Sequence, residues 1–62
     1  MNIKGHILII DEEASLRQTL ARILQQAGFE VTTAENGEQG LSYIQSTNFD
    51  MVFMDLRMPG MA

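Results

Sequence analysis

Cysteine and tryptophan are absent from this chain, proline occurs once, and four basic residues stand against eight acidic ones. Without cysteine, neither a disulfide framework nor a thiolate metal site can hold the fold together, and the composition is consistent with a reducing, cytosolic compartment. The formal net charge of −4 disfavours a nucleic-acid surface within this segment and favours cations or basic partner surfaces. Long apolar runs are missing as well. The first six residues lead into a run of only four, Ile7-Leu8-Ile9-Ile10, too short for a signal segment or a membrane span. A cytoplasmic protein that contacts neither membrane nor nucleic acid is the expectation. With 62 residues the chain is at most one small domain, a size that buries only about 60% of its unfolded surface.

What is present is acid placed directly after apolar runs. Ile7-Leu8-Ile9-Ile10 ends in Asp11-Glu12-Glu13, and Met51-Val52-Phe53-Met54 ends in Asp55. If both runs are neighbouring parallel strands, their carboxylates converge on one edge, where they repel one another until a divalent cation neutralises them.

The first run lacks alternation, as a strand covered on both faces does, and predicts a strand over about 6–10. From Ala14 the period changes: Leu16, Leu20, Ile23, Leu24 and Ala27 form an apolar stripe, with Arg17, Gln18, Arg22, Gln25 and Gln26 opposite. That is an amphipathic helix. Gly28 suits its left-handed C′ position, and the β-branched residues of 29–33 suggest a second strand. Asn36 can cap a second helix running to about Ser46, with Gln39 reaching back as in a capping box. Its stripe is thin, Leu41 and Ile44 with Tyr43 alongside, and Gly40 weakens it by up to roughly 1 kcal/mol relative to alanine. Residues 49–54 read as a third strand, apolar at successive positions and therefore expected inside a larger sheet. Pro59-Gly60 is a turn signal.

The fold class is therefore α/β: a βαβαβ unit with a parallel sheet, right-handed crossovers and strand order 2-1-3. In such sheets the ligand site lies beyond the carboxyl ends of the strands, where the connections reverse direction. Here that point falls between strands one and three, where Asp11, Glu12 and Asp55 meet.

These residues carry a family resemblance. The 7–13 stretch, Arg17 on the helix, Glu35-Asn36-Gly37, and Met54-Asp55-Leu56-Arg57-Met58-Pro59-Gly60 together resemble the N-terminal half of a response-regulator receiver domain, a flavodoxin-like fold of two-component signalling. The resemblance implies that Asp55 is the phosphoacceptor, taking a phosphoryl group from a histidine kinase or phosphotransfer protein. It implies that Asp11 and Glu12 hold Mg²⁺, or Mn²⁺, together with Asp55 and the backbone carbonyl of Arg57. A metal neutralises oxygens on a carboxylate nucleophile and a phosphoryl dianion that would otherwise repel each other. Glu12 departs from the usual aspartate by one methylene, which keeps charge and ligand type but changes reach. The family's hydroxyl residue after strand four and lysine after strand five have no counterpart in residues 1–62, which match the receiver without its strand 4 to helix 5 portion. The chain is thus expected to be a phosphoacceptor rather than an enzyme.

Plainer readings stand beside these. Glu13 is better explained as an acid at a helix N-terminus, worth about 0.3–1 kcal/mol, and Arg17 and Arg22 as members of the solvated helix face. An acid after a strand is often only a loop starter; the Met-Pro-Gly behind Asp55 argues otherwise. His6 is given no role, and the five methionines are core or loop residues. Gly37 and Gly40 make no dinucleotide fingerprint, because the first strand leads into acids rather than a glycine turn. A metal-dependent phosphohydrolase would need a second acid near the nucleophile. The rival from another class is an assembly module that keeps the acidic pocket without accepting phosphate, self-associating through an open edge of strand three.

Overall fold

The computed structural model describes residues 4–55. Five elements follow in order: β1 (His6–Ile10), α1 (Ala14–Gln26), β2 (Glu30–Ala34), α2 (Gly37–Ser46) and β3 (Met51–Met54). All pairing is parallel and the strand order is β2-β1-β3, as the sequence pattern predicts. Ile7 lies opposite Val31 on one side and Met51 on the other, and Ile10 opposite Ala34 and Met54.

Side chains of β1 alternate between two layers. Ile7 and Ile9 face α1, packing with Ala21, Leu20 and Leu24, while Leu8 and Ile10 face the other side with Ala34, Tyr43 and Phe49. Each helix therefore covers one face, and all four residues from Ile7 to Ile10 are buried. The unbroken apolar run of the sequence is the signature of this two-sided burial.

Helix α1 ends in a full Schellman closure. Phe29 N–H donates to the Leu24 carbonyl and Gly28 N–H to that of Gln25, with Gly28 at a φ of 103°, as its C′ assignment requires. Because the Phe29 amide is spent on the helix, β2 starts at Glu30 rather than at Phe29 and runs on to Ala34. At α2 the Asn36 side chain accepts from Gln39 N–H at 2.8 Å, as expected. The reciprocal bond differs, for Gln39 Oε1 accepts from Glu35 N–H at 2.7 Å, one residue earlier than a capping box would have it.

Several further expectations need correction. The sheet-facing stripe of α1 is buried Ala21 with partly buried Leu20 and Leu24; Ile23 and Ala27 are exposed, since the helix lies over β1 and β2 and leaves their side uncovered, and Leu16 is exposed at the carboxyl edge. In α2, Leu41 and Ile44 are exposed, and packing falls to Tyr43 and to buried Gly40, whose missing side chain admits Ile10. The third strand is shorter than 49–54. Phe49 instead packs into the core against the His6 ring, at 4.6 Å between centroids, and Asp50 is taken up by His6, whose amide donates to its carboxylate at 2.7 Å. His6 thus has a structural place, with Nε2 also 2.8 Å from Thr32 Oγ1. Among the described residues β3 is an edge strand, the open edge expected of residues 1–62, and its four side chains are 41–51% exposed.

Candidate functional site

Opposite helix placement makes the connections reverse direction between β1 and β3, and both strands end there in aspartate. The Asp11 amide donates to the Ala34 carbonyl at 3.1 Å and the Asp55 amide to the Ile10 carbonyl at 3.2 Å, so the ladders extend to the last residue before the acids. Asp11 and Asp55 consequently stand side by side at the carboxyl edge. Both line one cleft of about 230 Å³, whose walls are apolar, with Leu16 and Leu20 of α1 on one side and Phe53 of β3 on the other.

Asp11 is only 4% exposed. Its Oδ1 accepts the Glu13 N–H at 2.9 Å, a two-residue turn of the kind short acids make, and this bends the chain into α1. Glu13 is the N-cap position but its carboxylate bonds no helix amide; it accepts instead from the Ser15 hydroxyl at 3.2 Å. Glu12 lies on the outside of the turn, exposed and not part of the cleft wall. Of the carboxylates expected to converge, the structure brings Asp11 and Asp55 together, while Glu12 stands beside the cleft. Arg57, with its carbonyl, lies outside the described residues, as does the Pro59-Gly60 turn.

Among the described residues, no three acidic, histidine or cysteine side chains stand close enough to hold a metal ion by themselves. The donor chemistry still suits Mg²⁺. This ion takes one or two carboxylates and keeps several waters, whereas a cage of protein oxygens is the habit of Ca²⁺. Two aspartates on an open cleft, one of them with Oδ1 already ordered by an amide, match that requirement.

Sequence reasoning placed Arg17 on the solvated face, and the structure does not. Its side chain is 12% exposed, Nη1 donates to the Asp11 backbone carbonyl at 2.7 Å, and Nη2 comes within 4.0 Å of Glu35 Oε1. The signal available was position: Arg17 lies one turn from the helix start, on the same side as Leu20, Ala21 and Leu24, the residues that face the sheet.

A model of the response regulator receiver domain matches residues 7–62. The chain belongs to this family. Receiver relatives include the transcriptional regulatory protein FixJ of Bradyrhizobium diazoefficiens, 39% identical over 61 residues that make up 98% of this chain and 30% of FixJ. The transcriptional regulator NtrC of Salmonella typhimurium is 40% identical over 94% of this chain and 12% of its own. Among solved structures, the chemotaxis response regulator CheY4 of Vibrio cholerae superposes with a TM-score of 0.90 at 36% identity, covering 98% of this chain and 50% of that one. This receiver segment spans half or less of the length of these relatives. Among its described residues, no helix is long and apolar enough to cross a membrane.

Proposed function

We propose that this receiver segment is a cytoplasmic phosphoacceptor of two-component signalling, with Asp55 as the nucleophile. A histidine kinase or phosphotransfer protein presents a phosphohistidine; an Asp55 carboxylate oxygen forms the new O–P bond, the N–P bond breaks, and the imidazole leaves with the electron pair. The product is an acyl phosphate on Asp55. Asp11 and Asp55 would hold Mg²⁺, with Glu12 beside the cleft acting through water and the Arg57 carbonyl completing the set that the family resemblance implies; when bound, the ion offsets negative charge on both reacting partners. The observation that carries this reading is the adjacency of Asp11 and Asp55 at the carboxyl ends of β1 and β3, lining one cleft at the switch point.

Intact mass after incubation with acetyl phosphate tests it. The expected result is a phosphoryl adduct that needs Mg²⁺ and vanishes in Asp55→Ala; an adduct that persists in the variant would overturn the assignment.

A second reading is favoured by a different observation, the open edge and exposed side chains of β3. In it the 62-residue chain acts as an assembly module, two copies covering each other's β3 edge in a two-fold pair. Light scattering decides: a compact monomer at micromolar concentration excludes this reading.

A further inference from the structure

The side chain of Arg17 is nearly buried, belongs to α1, and reaches the backbone of an acid that the proposed function uses. We propose that Arg17 is a positioning residue for the acidic site, holding Asp11 in its metal-binding orientation by donating to the Asp11 carbonyl. This deepens the reading of Asp11 as a metal ligand and rests on it.

Asp11 is restrained at three points. Its amide is tied to Ala34 at the end of β2, its carboxylate to the Glu13 amide, and its carbonyl to Arg17. The first restraint fixes where the residue begins. The second orients Oδ1 toward the N-cap of α1, where the Glu13 carbonyl in turn accepts the Arg17 N–H, but it leaves the Asp11 carbonyl free to rotate. Only the third clamps the peptide plane between Asp11 and Glu12, on which the direction of the turn depends. A guanidinium suits this task because its planar fork donates in more than one direction at once, and here it also approaches Glu35 in the β2–α2 loop. One side chain thereby links the loops that follow β1 and β2.

Two effects of Arg17 on a cation oppose each other. Its positive charge repels the ion, and its hydrogen bond orders the ligand. Glu35, at 4.0 Å from Nη2, offsets part of the charge, whereas the bond to the carbonyl is short, at 2.7 Å. Ordering is therefore the larger effect. The distinction is measurable, because repulsion between partly exposed charges is screened by salt and a hydrogen-bonded turn is not.

The test titrates the full 62-residue chain with Mn²⁺, read by electron paramagnetic resonance at low and high salt, for wild type, Arg17→Lys, Arg17→Ala and Asp11→Asn. Exchange of the Glu13 amide proton is followed by NMR on the same proteins before metal is added. Both Arg17 variants are expected to bind Mn²⁺ on the order of tenfold more weakly at either salt concentration, as loss of an outer partner of a ligand does. The Glu13 amide should exchange faster in both, because the turn it closes has lost its clamp. Lysine keeps the charge but not the fork, so an Arg17→Lys protein that binds like wild type would overturn the proposal, as would tighter binding by Arg17→Ala. If Arg17→Ala does not fold, as circular dichroism would reveal, Arg17→Lys with its retained aliphatic stem carries the comparison. Should wild type bind no Mn²⁺, or Asp11→Asn bind as well as wild type, the metal reading fails by itself. The Glu13 amide then decides alone: faster exchange in Arg17→Lys keeps Arg17 as the clamp of Asp11, and unchanged exchange overturns it.

Discussion

Gly40 shows how one missing side chain sets the distance between layers. On helix propensity alone, alanine should strengthen α2 by up to roughly 1 kcal/mol. A Cβ at this position, however, would stand 2.8 Å from Ile10 Cγ1, inside the packed core of the central strand. Overlap of that kind costs about 1–3 kcal/mol, so the steric effect wins and Gly40→Ala should lower the midpoint of urea denaturation. The double variant Gly40→Ala with Ile10→Val should recover part of the loss, since it removes the methyl group that the Cβ strikes. An unchanged or raised midpoint in Gly40→Ala would show that α2 moves outward at no cost. The sequence alone led to the opposite valuation of this residue. Propensity is a local property, and the contact with Ile10 spans the fold. Arg17 was misread for a related reason: its amphipathic placement was judged from the stripe of α1 before the angle of the helix on the sheet was known. Asp11 and Asp55, by contrast, were legible because each directly follows a strand, and strand ends are fixed by pattern and register.

Among elements, β1 and the ends of α1 were read almost to the residue, because a run buried on both faces and a glycine at C′ are signals that need no tertiary context. The starts of β2 and β3 were not, for in both cases a nearby acceptor takes a backbone amide that an earlier start of the ladder would have used. The Leu24 carbonyl claims the Phe29 amide, and the Asp50 carboxylate claims the His6 amide. Strand β3 matters most for solution behaviour. Its Val52 and Met54 lie beside Leu8 and Ile10 on the α2 face, yet are 41% and 43% exposed, so this face has apolar area without cover. A charged residue on an edge strand is a known deterrent to strand pairing. If two copies pair through β3, Val52→Lys should shift the light-scattering mass toward the monomer while leaving the cleft intact, because Val52 does not line it. An unchanged mass from an associated wild type would place the contact elsewhere.

For the whole molecule, the link between cation and fold is the informative quantity. Asp11 and Asp55 close the ends of β1 and β3, so an ion shared by them binds the folded chain and not the unfolded one. At a concentration a hundredfold above its dissociation constant, such a ligand stabilises by about 2.7 kcal/mol. A domain this small should respond visibly: Mg²⁺ should raise the Tm of wild type in a concentration-dependent manner, and Asp11→Asn should lose most of the shift. Equal shifts in both proteins would point to cation binding away from the cleft. The architecture itself, order β2-β1-β3 with one helix on each face, followed from the sequence through the rule of right-handed crossovers. What pattern could not supply was the number of strands beside β3, since an apolar strand reads alike whether its neighbour belongs to the same segment or not.

The central place of β1 has a consequence for how the chain is made. Its residues leave the ribosome before those of β2 and β3, and β2 can join them early, but the other flank waits for partners such as Asp50, 44 positions beyond His6. Throughout that interval Ile7, Leu8, Ile9 and Ile10 have one open side, and their exposure ends only when Met51–Met54 arrives. Of these three strands β1 is synthesised earliest yet gains its second neighbour only with the last, and the nascent segment is most in need of protection just before the aspartates meet.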